Sequence, residues 1–418
     1  MKRFIIPAAI LIVIALSLAL GIHNATLYNP RHGFDGNAHL YYIKYIYENK
    51  KIPEANPNKI TPELFVEKHQ SPLYYIFGAL FMSVTGNWKT AQYLNTFILW
   101  LIIGISGLGL WKVFKNRNQV LIGMFSLAAL PMLNIFPAMI TNELLNTFWA
   151  ISVAVAATFM VSATTKRQFL YCLLWASLSF ILGYWTKVSI ITVLPTLFAG
   201  IVVYYIKNKS QRKFVLVSSL SALVLIIFLS LPIFMRARNI DSPSNIISQA
   251  LSRKYNLASP AFFFRLDWIY KIDMYNTQYY SFLGAAWNSF WTDGHNAITP
   301  FIKFHKKSFV LWSLGFILLP LSLYGLKKLF NKERKYSYVL LTLGVSMSAT
   351  YVFLNLNAGH YSAARLTYEM AIVLPYAFGI AGASRNKKLQ WLIIFLLSIQ
   401  FIVMVSFFWI LPWWHVTK

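Results

Sequence analysis

Residues 32–43 read HGFDGNAHLYYI and follow a run, residues 4–22, that carries no charge. Asp35 and His39 stand four apart, so a helix starting near Gly33 places them on one face. A carboxylate beside an imidazole suits a general base whose proton affinity is set by burial and by its neighbour. The same Asp35 suits a helix N-cap that binds backbone N–H groups. The residues alone leave both readings open. A second carboxylate, Glu143, lies in PAMITNELLNTFWA, at the start of a long apolar stretch. A carboxylate there is costly unless paired, hydrated or bound to a cation, so it marks a functional candidate. It also suits a helix start favoured by the macrodipole. His69 precedes Pro72 in EKHQSPLYY, and Lys187 stands alone between two apolar runs in LGYWTKVSII. Lys187 can snorkel to an interface or hold a phosphate.

The elements that must position these residues are membrane helices. The chain is 57% hydrophobic and only 12% charged, with a mean hydropathy of +0.54; a soluble chain of 418 residues needs far more charge to cover its surface. Apolar runs near 4–22, 91–111, 119–136, 140–162, 168–186, 188–206, 214–234, 308–326, 337–355, 366–383 and 389–411 predict an all-α polytopic membrane protein with about eleven transmembrane helices. The amino end predicts an uncleaved first helix, because ALGIHNATL is a poor cleavage site. Basic clusters at 112–117, 166–167, 207–213, 327–335 and 384–388 are separated by two spans each, as required if every cluster is cytoplasmic. The segment 71–86 is short for a full crossing and reads as a re-entrant or interfacial helix on the outer side, with a short true span as the alternative. One transmembrane domain, 1–418, results, with long extracytoplasmic loops at 23–90 and 236–306 that carry amphipathic helices.

In this topology Glu333 alone among the 12 acidic residues is cytoplasmic, and all eight histidines fall outside. Ionisable chemistry is thereby concentrated on one face. Arg31, Lys68, Lys187, Arg236, Arg238 and Arg365 also lie outside, where orientation does not require them, and suit an anionic substrate. The net charge of +26 is scattered over many loops, which argues against nucleic acid and for anionic membrane lipids. The sequence contains neither G-x-x-x-x-G-K-[ST] nor G-x-G-x-x-G, so soluble-nucleotide chemistry has no visible seat. The lone Cys172 excludes a disulfide framework.

Asp-x-x-x-His after the first helix, then HQSPLYY, TNELL and WTKVS, resemble in order and placement the C-type (GT-C) membrane glycosyltransferases. The likeness is to the branch of protein O-mannosyltransferases and aminoarabinose lipid A transferases. It departs in keeping one proline of two after His69 and in having Glu143 where Asp is common. Arg365 in GHYSAARLTYEM looks like that branch's late arginine. The resemblance covers roughly residues 1–240 well and the rest loosely. It implies an inverting transfer of a sugar from a polyprenyl-phosphate donor to a glycan, lipid or protein acceptor, on the extracytoplasmic face of the plasma membrane. Asp35 would be the base; Glu143 would orient the site or bind a divalent cation, Mg²⁺ or Mn²⁺, together with Asp35. Lys187, Arg236 and Arg365 would hold the donor phosphate, with His39 and His69 orienting the acceptor. The competing classes are a flippase or transporter of polyprenyl-linked sugars and an O-antigen polymerase or ligase.

Overall fold

The computed structural model describes residues 2–31, 35–53, 70–239, 260–269, 281–292, 306–358 and 366–410. Among these there is no strand, and the chain is an all-α polytopic membrane protein. Among the described residues, nine helices are long and apolar enough to cross a bilayer. They include α1 (Lys2–Leu27), α4 (Thr90–Phe114), α7 (Glu143–Met160), α8 (Lys166–Thr186), α9 (Leu194–Lys207, entered through a 3-10 turn from Val188) and α10 (Arg212–Asn239). The remaining three are α12 (Lys306–Lys332), α13 (Arg334–Ala358) and α15 (Lys387–Ile410). Short helices α2 (Gly36–Asn49), α3 (Leu73–Thr85) and α11 (Phe282–Trp291) lie within the two loops expected to carry them.

Two of the eleven expected spans differ. The run 119–136 is broken into α5 (Arg117–Ala128) and α6 (Pro131–Ile135), which together with the turn to Ala138 bend by 58°. Pro131 lacks the N–H that would continue the ladder. Asn134 Nδ2 meets the carbonyls released at the break, Ala128 O at 3.0 Å and Leu130 O at 2.9 Å. Ser17 of α1 donates to Asn134 Oδ1 at 2.8 Å and holds that amide in place. The bent pair can count as a tenth span. The run 366–383 is a 3-10 segment, Leu366–Ile372, followed by α14 (Val373–Ala383). Those 11 residues of α14 are too few to cross alone.

In lipid, apolar surface does not drive helices together, so small residues and short polar contacts set the packing. α12 and α14 approach backbone to backbone: a Cβ added at Gly325 would stand 1.7 Å from Gly379 O. Ser322 of α12 donates to Tyr376 O across the same seam at 3.0 Å. On α7, Ser152 meets Ser179 of α8 at 2.8 Å. Some 83% of α7 is buried inside the protein, against 17% for the Lys209–Arg236 span. α7 is therefore the central helix, and α10 faces lipid.

Candidate functional site

The N-terminus of the central helix α7 is held by side chains from α3, α4 and the chain just before α3. Asn95 of α4 donates to Met139 O (2.7 Å) and Thr141 O (3.1 Å). Tyr74 Oη on α3 accepts the N–H of Thr141 at 3.0 Å. Asn142 Nδ2 donates to Gln70 Oε1 at 3.1 Å. A segment whose backbone groups would otherwise be orphaned in the interior is thereby satisfied, and Glu143 is fixed at the first turn of the helix.

Glu143 Oε1 accepts a hydrogen bond from Lys187 Nζ in an ion pair. Lys187 is the hinge residue between α8 and the following 3-10 turn, in an extended conformation that ends the helix. The sequence leaves Lys187 without a required partner; the structure gives it one, with side-chain exposures of only 14% for Lys187 and 11% for Glu143. One turn along α7, Asn146 Nδ2 donates to Ser189 Oγ at 3.2 Å and ties the same two elements together.

A third ionisable residue joins this pair. Glu369 lies in the 3-10 segment against α7, is wholly buried, and interacts electrostatically with Glu143 and Lys187. Neither of its carboxylate oxygens has a hydrogen-bond partner among the described residues, and the same holds for Glu143 Oε2 and Asn146 Oδ1. Sequence reasoning passes over Glu369 because it falls inside a run that reads as an ordinary span. Its signal is that it is the one carboxylate in LTYEMAIVLPYAFGI, where an acid needs a reason.

Asp35 does not make the expected side-chain cap. It occupies the N-cap position of α2 but has φ 51°, ψ 21° and no side-chain cap hydrogen bond. It is exposed, and its carbonyl accepts the N–H of His39 at 2.9 Å. Left-handed backbone is uncommon for a residue with a Cβ, though Asp tolerates it better than most. His39 turns inward instead of pairing with Asp35: it is buried, and its Nδ1 meets Tyr75 Oη at 2.8 Å. Successive tyrosines of α3 thus join the two carboxylate-bearing segments, Tyr75 to the Asp35 helix and Tyr74 to the Glu143 segment.

Arg236, expected at the donor phosphate, donates from Nη1 to Pro53 O (2.9 Å) and from Nη2 to Tyr42 Oη (3.2 Å). Tyr42 stacks on Tyr75 with centroids 3.9 Å apart. The guanidinium therefore clamps the chain that follows α2. His69 and Arg365 lie outside the described residues. No group of three or more His, Cys, Asp or Glu side chains able to hold a metal occurs among the described residues.

A cavity of about 1080 Å³ opens between α11, α12, α13 and α14. It runs along α13 from Ser337 to Val352, roughly 22 Å at 1.5 Å per residue. Aromatic and aliphatic side chains, among them Trp287, Trp291, Leu340 and Pro375, form most of its wall. Lys327 lies at one end and Leu366, three residues before Glu369, at the other.

No protein-family model and no curated protein matches the sequence. Solved structures do. ArnT from Cupriavidus metallidurans bound to undecaprenyl phosphate aligns with a TM-score of 0.64 at 11% identity, over 98% of this chain and 77% of that one. The Archaeoglobus fulgidus oligosaccharyltransferase, in complex with zinc and sulfate, aligns with a TM-score of 0.53 at 15% identity. That alignment spans 94% of this chain and about half (52%) of the oligosaccharyltransferase. The chain shares its fold with these two solved structures.

Proposed function

We propose that this protein is an inverting glycosyltransferase that moves a sugar from a polyprenyl-phosphate donor to an acceptor at the extracytoplasmic face of the plasma membrane. Its main support is the buried Glu143–Lys187 ion pair together with a long apolar groove whose wall includes Leu366 and Ile372, from the segment that carries the buried Glu369 and packs on the Glu143 helix. A lipid-linked sugar has that same division: an apolar chain to be laid in the bilayer and a polar head to be held at its edge. The structural likeness to ArnT, described as bound to undecaprenyl phosphate, supports a lipid phosphate as the carrier.

In this mechanism Asp35, exposed and not spent on a helix cap, accepts the proton of the acceptor's nucleophile. The nucleophile bonds to the anomeric carbon as the bond from that carbon to the phosphate oxygen breaks, which inverts the centre. The polyprenyl phosphate leaves with the electron pair. Lys187, held in place by Glu143, is proposed to meet the developing charge. Arg365 is a second proposed phosphate ligand, and His39 and His69 are proposed to orient the acceptor. A transporter would carry its ionisable groups near the middle of its spans; here they gather at one end.

The test is reconstitution in liposomes with undecaprenyl phosphate carrying a radiolabelled hexose or pentose, and with cell-envelope lipid, glycan and protein fractions as acceptors. Transfer is expected from the parent and not from Asp35→Asn. Parallel assays with chelator and with added Mg²⁺ or Mn²⁺ read out any use of a divalent cation through Asp35 and Glu143. Movement of the lipid-linked sugar across the bilayer with its glycosidic bond intact would overturn the transferase reading in favour of a flippase.

A further inference from the structure

We propose that the half of the groove remote from the Glu143–Lys187 pair seats one anionic phospholipid of the leaflet on that side, with its phosphate at Lys327 and one acyl chain between α12 and α13. In the topology expected from the basic clusters, that leaflet is the cytoplasmic one. The site goes beyond the glycosyltransferase reading and stands without it. The half of the groove beside Leu366 is left to the donor's chain.

The groove changes character midway along. Ser322 of α12 donates to Tyr376 O at 3.0 Å, and a Cβ built at Gly344 of α13 has Pro375 Cγ as its nearest neighbour, 3.9 Å away. These contacts put Ser322, Gly344 and the first turn of α14 at one level. On the Leu366 side of that level α11 also contributes wall, with Trp287 and Trp291 standing against Gly315 of α12. Beyond it, among the described residues, the wall comes only from α12 between Leu323 and Phe330 and from α13 between Ser337 and Leu341. α14 contributes nothing there, because it lies directly on α12 where Gly379 meets Gly325. Leu323, Phe330 and Leu341 are exposed, so this part is a crevice open sideways to lipid. From Gly344 to Ser337 α13 rises roughly 10 Å, and from Ser322 to Phe330 α12 rises roughly 12 Å. One leaflet contributes roughly 15 Å of hydrocarbon, so the crevice takes most of the length of one acyl chain.

Apolar surface alone selects no occupant here, because lipid tails are as apolar as the wall. Charge does. Lys327 is the one charged side chain in the groove wall among the described residues, and it lies at the end of the crevice. It belongs to the apolar stripe of α12, with Leu323 one turn before it and Phe330 one turn after. A lysine so placed lays its methylene stem along the stripe and carries its ammonium to the headgroup level. The neighbouring cations are disposed differently: Lys328 stands over the Tyr324 ring at 5.4 Å, and Lys335 over the Tyr336 ring at 4.8 Å. Lys327 has no hydrogen bond, ion pair or ring contact among the described residues. Residues 327–335 carry five cations and one acid, Glu333. A head with net negative charge is favoured there over a zwitterionic one, whose own ammonium would add to the excess.

The occupant is a resident lipid, distinct from any substrate. It fills the gap between α12 and α13 that α14 does not reach, and it binds the folded helix pair. Such a ligand raises the stability of the fold by mass action.

The experiment uses the full chain in detergent with an equimolar mixture of dioleoyl phosphatidylglycerol and dioleoyl phosphatidylcholine. Native mass spectrometry reads the retained lipid, and thermal melting is followed in each lipid separately. The parent should retain phosphatidylglycerol over phosphatidylcholine by about fivefold, the worth of one lysine at an anionic headgroup, and should melt higher in its presence. Lys327→Gln should lose that preference, and Lys328→Gln should keep it. Leu341→Trp, at an exposed position of the crevice, should lower retention of both lipids; should it fail to fold, Leu323→Trp carries the same expectation. No preference in the parent, or a preference that survives Lys327→Gln, overturns the site. An equal loss in Lys327→Gln and Lys328→Gln also overturns it, in favour of diffuse surface charge. Displacement of the lipid by glycerophosphoglycerol, the same head without chains, overturns the crevice and leaves only an anion contact. Displacement by an equal amount of undecaprenyl phosphate gives the whole groove to the donor's chain and overturns the division. A dimer mass in place of the bound lipid gives the face to a second copy of the chain and overturns the site.

Discussion

Lys187 and Glu143, 44 residues apart in the chain, form an ion pair at the point where the central helix begins. Both are largely withdrawn from solvent, so each protects the other from the cost of an isolated buried charge. Lys187→Met or Glu143→Gln alone should therefore destabilise the protein by about 3–5 kcal/mol. The double variant should recover much of that loss while remaining inactive in transfer. Thermal melting of the three variants and the parent, read as a double-mutant cycle, tests the pair; additive single losses would show that it is not a coupled unit.

Asp35 holds a left-handed backbone without a side-chain cap. Asp35→Asn should leave stability nearly unchanged, and Asp35→Gly should do the same, because the positive φ that glycine adopts without strain offsets its larger loss of chain entropy. Both should lower the transfer rate by about 10²–10⁴-fold, as loss of a general base does. Near-parent transfer by either folded variant would return Asp35 to a purely structural role.

Arg236 bridges Pro53 O and Tyr42 Oη. Arg236→Met should increase hydrogen exchange and protease cutting around residues 42–53, with the rest of the bundle unaffected. Bare undecaprenyl phosphate should still bind within about twofold, since losing the bonds to Pro53 O and Tyr42 Oη removes no hydrogen bond to the ligand. A selective loss of lipid-phosphate affinity without loosening of that segment would make Arg236 a phosphate ligand.

Gly344 lines the long groove, and a Cβ there meets nothing nearer than Pro375 Cγ at 3.9 Å. Gly344→Phe projects a ring into the cavity without displacing backbone. It should fold like the parent and weaken binding of undecaprenyl phosphate by about tenfold, the equivalent of roughly two methylene groups denied burial. An analogue with a two-isoprene tail should be affected less. Equal binding by parent and variant would place the lipid chain elsewhere.

Gly325 meets Gly379 O where a Cβ would stand 1.7 Å away, whereas a Cβ on Gly104 meets nothing within 4 Å. Gly325→Ala should cost about 1–3 kcal/mol or more by forcing α12 from α14. Gly104→Ala should be neutral or slightly stabilising. The difference in melting temperature between the two variants is the measurement.

Most spans were legible because a bilayer demands about 20 apolar residues in succession, a property of the sequence alone. The concentration of acids and histidines between particular spans was legible for the same reason. Two elements were not. Residues 119–136 are apolar throughout, but Pro131 frees carbonyls that Asn134 accepts a role in satisfying, and only the fold brings Ser17 to steady that amide. Residues 366–383 have span-like composition, yet their first part is wound as a 3-10 segment against α7.

The candidate site divides along the same line. Asp35, Glu143 and Lys187 could be picked out singly, because each interrupts apolar sequence at a helix boundary. Which of them meet was decided by tertiary packing. Asp35 and His39 are neighbours by helical spacing, but burial turns His39 to Tyr75; Lys187 finds Glu143 across two helices. Arg236 carries the charge of a phosphate ligand and is occupied by a carbonyl and a phenol. Glu369 comes to Glu143 from 226 residues further along the chain (369 − 143). Residue type and local spacing fix what chemistry a side chain can do; which partner it meets depends on long-range helix packing, which leaves no periodic trace in the sequence.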